Sequence, residues 1–152
     1  MIERVRAILV TDDERLLVIK RTRPGARTYW VLPGGHAEPE DDDLESALHR
    51  ELLEEIAGEA EIEALVQVLE SDDGSDRQYF YLARIHAWSF EERTGPEFSD
   101  GDMARGTYDL VPIPPTADAL AAINLKPAPT AALIRGAVVG PGLFALADFR
   151  RS

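Results

Sequence analysis

The stretch LPGGHAEPEDDDLESALHRELLEEIAG, Leu32 to Gly58, gathers nine carboxylates around a Gly-Gly pair. Three of them, Glu51, Glu54 and Glu55, stand at helical spacing. At roughly 3.6 residues per turn, Leu44, Leu48, Glu51 and Glu55 share one stripe, with Glu54 beside it. The stripe opens on two leucines and closes on two glutamates. Acids that served solubility alone would lie opposite the leucines. Like charges at this spacing repel by about 0.2–0.5 kcal/mol per pair even when exposed, and Arg50 is one positive group against three. A divalent cation is the natural partner, and all-oxygen ligation fits magnesium or manganese. The alternative is a solvated acidic face.

The residues before the helix bear on that choice. Pro33-Gly34-Gly35 reads as a turn, and glycine lets backbone approach a ligand closely. Asp43 is the expected N-cap of a helix from Leu44 to Ile56, with Glu45 well placed in its first turn. A strand, a Gly-Gly turn, an acidic loop and a helix carrying Arg-Glu-Leu-x-Glu-Glu form a far less generic arrangement than any one of these parts.

The rest of the chain must hold that segment in place. At 152 residues it suits a single domain, residues 1–152, with 45% hydrophobic and 29% charged residues. Net charge is −12, and the segment Glu38 to Glu55 alone carries −8. This disfavours binding to nucleic acid or to an anionic membrane surface. No cysteine is present, which excludes disulfides, thiolate nucleophiles and thiolate zinc sites. Neither a signal-peptide pattern nor an apolar run of ~20 residues occurs, so a cytoplasmic protein is expected.

Ile2 to Val10 and Leu16 to Arg21 read as a hairpin, and Tyr29 to Leu32 as a short strand. Ile62 to Leu69, Gln78 to Trp88 and TYDLVPI supply further strands. PPTADALAAI and PAPTAALIRGAVV supply helices, and Glu91 to Gly106 reads as a long surface loop. Interleaved strands and helices predict an α+β fold with a mixed β-sheet covered by helices.

With these residues in view, the chain resembles the Nudix hydrolase superfamily. Its signature is a glycine, five residues, a glutamate, seven residues, then Arg-Glu-hydrophobic-x-Glu-Glu-x-Gly-hydrophobic. Gly35 opens that box here, and RELLEE, Arg50 to Glu55, closes its helical half without a mismatch. The resemblance implies an α/β/α sandwich with the box as loop-helix-loop. It implies Glu51, Glu54 and Glu55 as magnesium ligands, Arg50 as the arginine that orients one of them, and Gly35 as a carbonyl ligand. Counting back from Arg50 places Asp42 where the family has glutamate, whereas counting forward from Gly35 reaches Asp41. Helix register is harder to shift than loop length, so Asp42 takes the supporting role. The box's second glycine falls on Ala57, with Gly58 next.

The resemblance further implies hydrolysis of a diphosphate bond in a nucleoside diphosphate linked to another group. A nucleoside triphosphate is the leading substrate, and ADP-ribose or a sugar nucleotide the alternative. A non-catalytic nucleotide-sensing module is a third reading, against which the three retained glutamates argue. Magnesium, with manganese as substitute, would neutralise the diphosphate oxygens and ease deprotonation of a water. The base is one of the box glutamates, Glu51 or Glu54, or Glu97 in the long loop. Arg21, Arg23, Arg27 and His36 flank the Gly-Gly loop and are candidates for phosphate contact. Tyr29, Trp30, Tyr79, Tyr81 and Trp88 are candidates for stacking on a base or for the core. The apolar tail VVGPGLFALADF either supports a homodimer or packs on its own domain.

Overall fold

The structure is a computed structural model, and it describes residues 1–89 and 107–151. Strands β1 (Ile2–Thr11), β2 (Leu16–Thr22), β3 (Tyr29–Val31) and β4 (Gly34–His36) precede helix α1 (Leu44–Ile56). Then come β5 (Glu59–Glu70), β6 (Asp76–Ala87), β7 (Thr107–Ile113), α2 (Ala117–Ala121), β8 (Leu125–Lys126) and α3 (Ala128–Val139).

The strands form one mixed sheet, in the order β5-β6-β1-β2-β3-β8, with β4 on β1 and β7 on β2. Strand β1 is central. It runs parallel to β6 over ten residue pairs, Ile2↔Asp76 to Thr11↔Ile85, and its two faces alternate. Val5, Ala7 and Leu9 pack with Ala47, Leu48, Leu52 and Ile56 of α1. Ile8 and Val10 pack on the opposite side with Leu120 of α2 and Ala131 and Ile134 of α3. The sheet therefore lies between two helical layers, the mixed sheet covered by helices that the sequence predicts and the α/β/α arrangement that the resemblance implies. Tyr81 and Trp30 serve these cores, the first toward α1 and the second toward α3.

The sheet is irregular around β1. Strand β1 pairs with β2 at Leu9↔Leu17 and Val10↔Leu16, and with β4 at Arg4↔His36, Val5↔Gly35 and Arg6↔Gly34. The two long strands part between these stretches. Strand β3 stays on β2 through Ile19↔Val31, whereas β4 crosses to β1. A cleft opens where they separate.

Helix α1 spans the predicted residues, and Asp43 caps it by accepting the Ser46 N–H at 2.7 Å. Its end falls at Ala57, the position of the box's second glycine, rather than at Gly58. Ala57 itself takes the left-handed conformation, with φ +47°, and its N–H and that of Gly58 return to Leu53 and Leu52. The C-terminal tail packs on its own domain: Leu143 enters the core on the α3 side, and Asp148 accepts the Leu65 N–H of β5. Among the described residues no helix is long and apolar enough to cross a membrane.

Candidate functional site

Backbone proximity builds the site. The pair Gly34-Gly35, expected as a turn, is instead a strand on β1, with α1 packed over it. A Cβ on Gly34, whose φ is +147°, would stand 2.0 Å from the Val5 carbonyl oxygen. A Cβ on Gly35 would stand 2.4 Å from Oε2 of Glu51. At Gly34 the clash is with backbone and only glycine fits; at Gly35 a Cβ would have to displace the Glu51 carboxylate.

Two of the three helix acids face this strand. Glu55 is buried, and its Oε1 accepts the Gly34 N–H at 3.0 Å. Glu51 lies against the Cα of Gly35 with 13% of its side chain exposed. Glu54, at 39%, is the most open of the three to solvent.

Arg50 binds the cluster together. Its Nη1 donates to Glu51 Oε1 at 3.1 Å and to Glu54 Oε2 at 3.3 Å. Its Nε and Nη2 grip both oxygens of Asp41 at 2.9 and 3.0 Å, and Nη2 also reaches the His36 carbonyl at 2.9 Å. These hydrogen bonds from Arg50, joined by one from the Glu38 N–H, hold the Asp41 carboxyl below its ordinary range. The bond to Asp41 likewise makes the Arg50 guanidinium harder to deprotonate.

The donor chemistry suits a hard divalent cation, because carboxylates and a backbone carbonyl offer oxygen alone. The side chains do not yet converge on one point: among the described residues no group of three or more acidic or histidine side chains stands ready to hold an ion. Arg50 donates to Oε1 of Glu51 and Oε2 of Glu54, and the Gly34 N–H to Oε1 of Glu55. A carboxylate has two oxygens, so these hydrogen bonds are compatible with a cation on the same side chains.

A second cation lies below the acids. Arg6, on β1 opposite Gly34, is half-buried, and desolvation lowers its pKa while the charges of Glu55 and Glu51 act to raise it. Arg6 also lines the cleft between the parted strands, about 210 Å³ in volume, with Val31, Leu32, Gln78, Phe80, Lys126 and Pro127. The cleft and the acids are thus neighbours through one guanidinium.

A family model for the NUDIX domain matches residues 1–110. The chain belongs to the Nudix family. Diphosphoinositol polyphosphate phosphohydrolase 2 of Mus musculus is 32% identical over 74 residues, which are 49% of this chain and 39% of the mouse protein. The match thus spans about two-fifths of that curated relative. A solved ADP-ribose pyrophosphatase from Streptococcus suis superposes with a TM-score of 0.61, at 19% identity, over 88% of both chains. A MutT structure, from work on Aliivibrio salmonicida and Vibrio cholerae, superposes with a TM-score of 0.56 at 22% identity, over 89% of this chain and 97% of that one. At these identities the two structures share the Nudix fold.

Within the Nudix box, the structure gathers Gly35, Arg50, Glu51, Glu54 and Glu55 at one junction. It corrects the loop position. Asp41 meets Arg50, whereas the Asp42 side chain is exposed and makes no hydrogen bond or ion pair with Arg50. His36 contributes its carbonyl to Arg50, and its side chain is exposed. Arg23 and Arg27 lie in the exposed turn between β2 and β3, outside the hydrogen-bonded cluster. Glu97 lies outside the described residues. Arg6, Gln78 and Lys126 carry no motif that singles them out in the sequence. Arg6 did leave a signal: with Arg4 it puts charge on a face of β1 that Ile8 and Val10 continue as core.

Proposed function

We propose that this Nudix protein hydrolyses a diphosphate bond in a nucleoside diphosphate linked to another group, with magnesium or manganese as cofactor. A nucleoside triphosphate is the first substrate to test. The observation that carries this reading is the junction of Gly35 and Glu51, an acidic cluster whose charge acts on Arg6, a cation that also lines the cleft. Glu51, Glu54 and Glu55 are the side chains to hold the ion, with Gly35 giving backbone access. A bound divalent cation would neutralise the diphosphate oxygens and make water easier to deprotonate.

The chain's own groups do the remainder. Arg6 reaches from under the acids into the cleft and can bind a phosphate oxygen that enters it. Arg50 and Asp41 fix the loop against α1, so the carboxylates keep their relative positions. Glu54 is the candidate base, because its carboxylate is the one most open to water. Glu97 remains a second candidate in the loop.

The test is a panel of nucleoside triphosphates, ADP-ribose, sugar nucleotides and a diphosphoinositol polyphosphate. Each is incubated with magnesium and assayed for phosphate and pyrophosphate release. The reading expects magnesium-dependent cleavage at a diphosphate in at least one class, with nucleoside triphosphates leading. No release from any compound would overturn it.

A further inference from the structure

Among the described residues, basic side chains meet two kinds of partner. Arg4, Arg15, Arg50, Arg77, Arg84 and Arg150 each pair with a carboxylate, and Arg84 also lies 4.2 Å from the Phe144 ring centre. Lys20, Arg21 and Lys126 pair with aromatic rings instead, where β2, β3, β7 and β8 meet.

Arg21 faces Tyr29 across β3 and Tyr108 across β7. Its guanidinium carbon lies 4.5 Å from the Tyr108 ring centre and 5.9 Å from that of Tyr29. The Lys126 ammonium stands 4.8 Å from the Tyr29 ring centre, and the Lys20 ammonium 5.9 Å from that of Trp30. Aromatic faces hold a cation in place without neutralising its charge. Arg21 Nε is buried and has no hydrogen-bond partner among the described residues, an arrangement that costs free energy until an acceptor arrives. Lys126 ties this row to the cleft, because it lines the cleft together with Arg6.

In a chain of net charge −12, cations set on aromatic rings rather than on acids mark a local positive field. Such a field selects anions. An uncharged sugar would be met by carboxylates and amides.

We propose that Lys126 and Arg21, seated on Tyr29, bind a second anionic group of the substrate, a phosphate that lies beyond the diphosphate being cleaved. This rests on the reading that the Gly35–Glu51 junction takes the scissile diphosphate. The substrate class is then a diphosphate compound with at least one further phosphate. Its two ends are sorted by charge: metal and Arg6 at the reacting end, Lys126 and Arg21 at the far end.

The subsite can be tested apart from catalysis. Inorganic tripolyphosphate is titrated calorimetrically into the metal-free protein at low salt. Binding is expected, weakened roughly tenfold or more in Lys126→Met and Arg21→Met. It should be retained in Lys126→Arg and unchanged in Arg135→Met, whose side chain is exposed on α3. Absent binding, or binding unaffected by Lys126→Met, overturns the proposal.

With magnesium, a nicotinamide dinucleotide and its 2′-phosphate share one diphosphate and differ by a remote phosphate. The phosphorylated member should show a kcat/KM roughly tenfold higher, and the ratio should fall to about one in Lys126→Met. A ratio of one in the wild type overturns the proposal. Tripolyphosphate binding without hydrolysis of any diphosphate would leave the subsite standing and remove the catalytic reading.

Discussion

Arg50 and Asp41 meet in a two-pronged ion pair, Nε and Nη2 donating to the two carboxylate oxygens at 2.9 and 3.0 Å. This pair ties the acidic loop to α1, and the remaining Nη1 is left for Glu51 and Glu54. Asp41→Asn should cost roughly 1–2 kcal/mol of stability, whereas Asp42→Asn should stay within about 0.5 kcal/mol. The pH dependence has a definite sign. The folded-state pKa of Asp41 lies below its ordinary value of 3.8, so the pair's contribution is present above pH 3.8 and is lost as pH falls through the folded value. Thermal melts of wild type and Asp41→Asn should differ at neutral pH, and the difference should shrink only as pH falls below 3.8 toward the lower folded-state value. Equal melts at pH 7 would contradict this.

The glycine pair gives a sharper separation of stability from function. Gly34→Ala meets backbone at 2.0 Å and should destabilise by about 3 kcal/mol or more, read in urea unfolding. Gly35→Ala meets a carboxylate that can move, so the protein should still fold. Displacing Glu51 should nonetheless lower turnover by roughly tenfold or more. Full activity in Gly35→Ala would mean that Glu51 does not act where it lies.

Glu55 combines two roles that two substitutions can part. Glu55→Ala leaves the Gly34 N–H without its acceptor and should cost about 1–3 kcal/mol. Glu55→Gln keeps a carbonyl acceptor, so its melting temperature should stay near wild type while magnesium affinity falls. Wild-type magnesium affinity in Glu55→Gln, measured by calorimetry, would confine Glu55 to a structural role.

Much of the fold and of the acidic junction is legible in the sequence, and the reasons are local. Helix α1 has the predicted bounds because Asp43 caps it and Leu48 and Leu52 mark the buried face. The hairpin of β1 and β2 follows from two apolar runs joined by a polar turn. Asp41 is missed because helix register, counted back from Arg50, runs into a loop that does not obey it. There the Asp41 carboxylate also accepts the Glu38 N–H, so the chain folds on itself and the extra residue is taken up before the cap. Gly34-Gly35 reads as a turn because a glycine's freedom in sequence does not say whether it serves a turn or a close approach. The meeting of Arg6 and Lys126 at the cleft depends on β1 and β2 parting, and no local pattern encodes that.

Ala57 offers a gain rather than a loss. It holds φ +47°, which a side chain disfavours, at the position where the Nudix box has glycine. Ala57→Gly should stabilise by about 0.5–1 kcal/mol and raise the melting temperature by roughly 1–3 °C. The neighbouring Gly58 should resist the opposite change to alanine, since a Cβ there would stand 2.9 Å from the Ile56 side chain. A lower melting temperature in Ala57→Gly would contradict the capping geometry.

Everything proposed for the site depends on the helix carboxylates working through a divalent cation on a diphosphate. The decisive quantity is the rate of phosphate or pyrophosphate release from the best substrate of the panel. It is taken for wild type with magnesium, wild type with chelator, and Glu54→Gln with magnesium. Turnover should be lost on chelation and return on adding magnesium. In Glu54→Gln it should fall by roughly a hundredfold or more with an unchanged melting temperature. Turnover that survives chelation, or a Glu54→Gln rate near wild type, would contradict this mechanism.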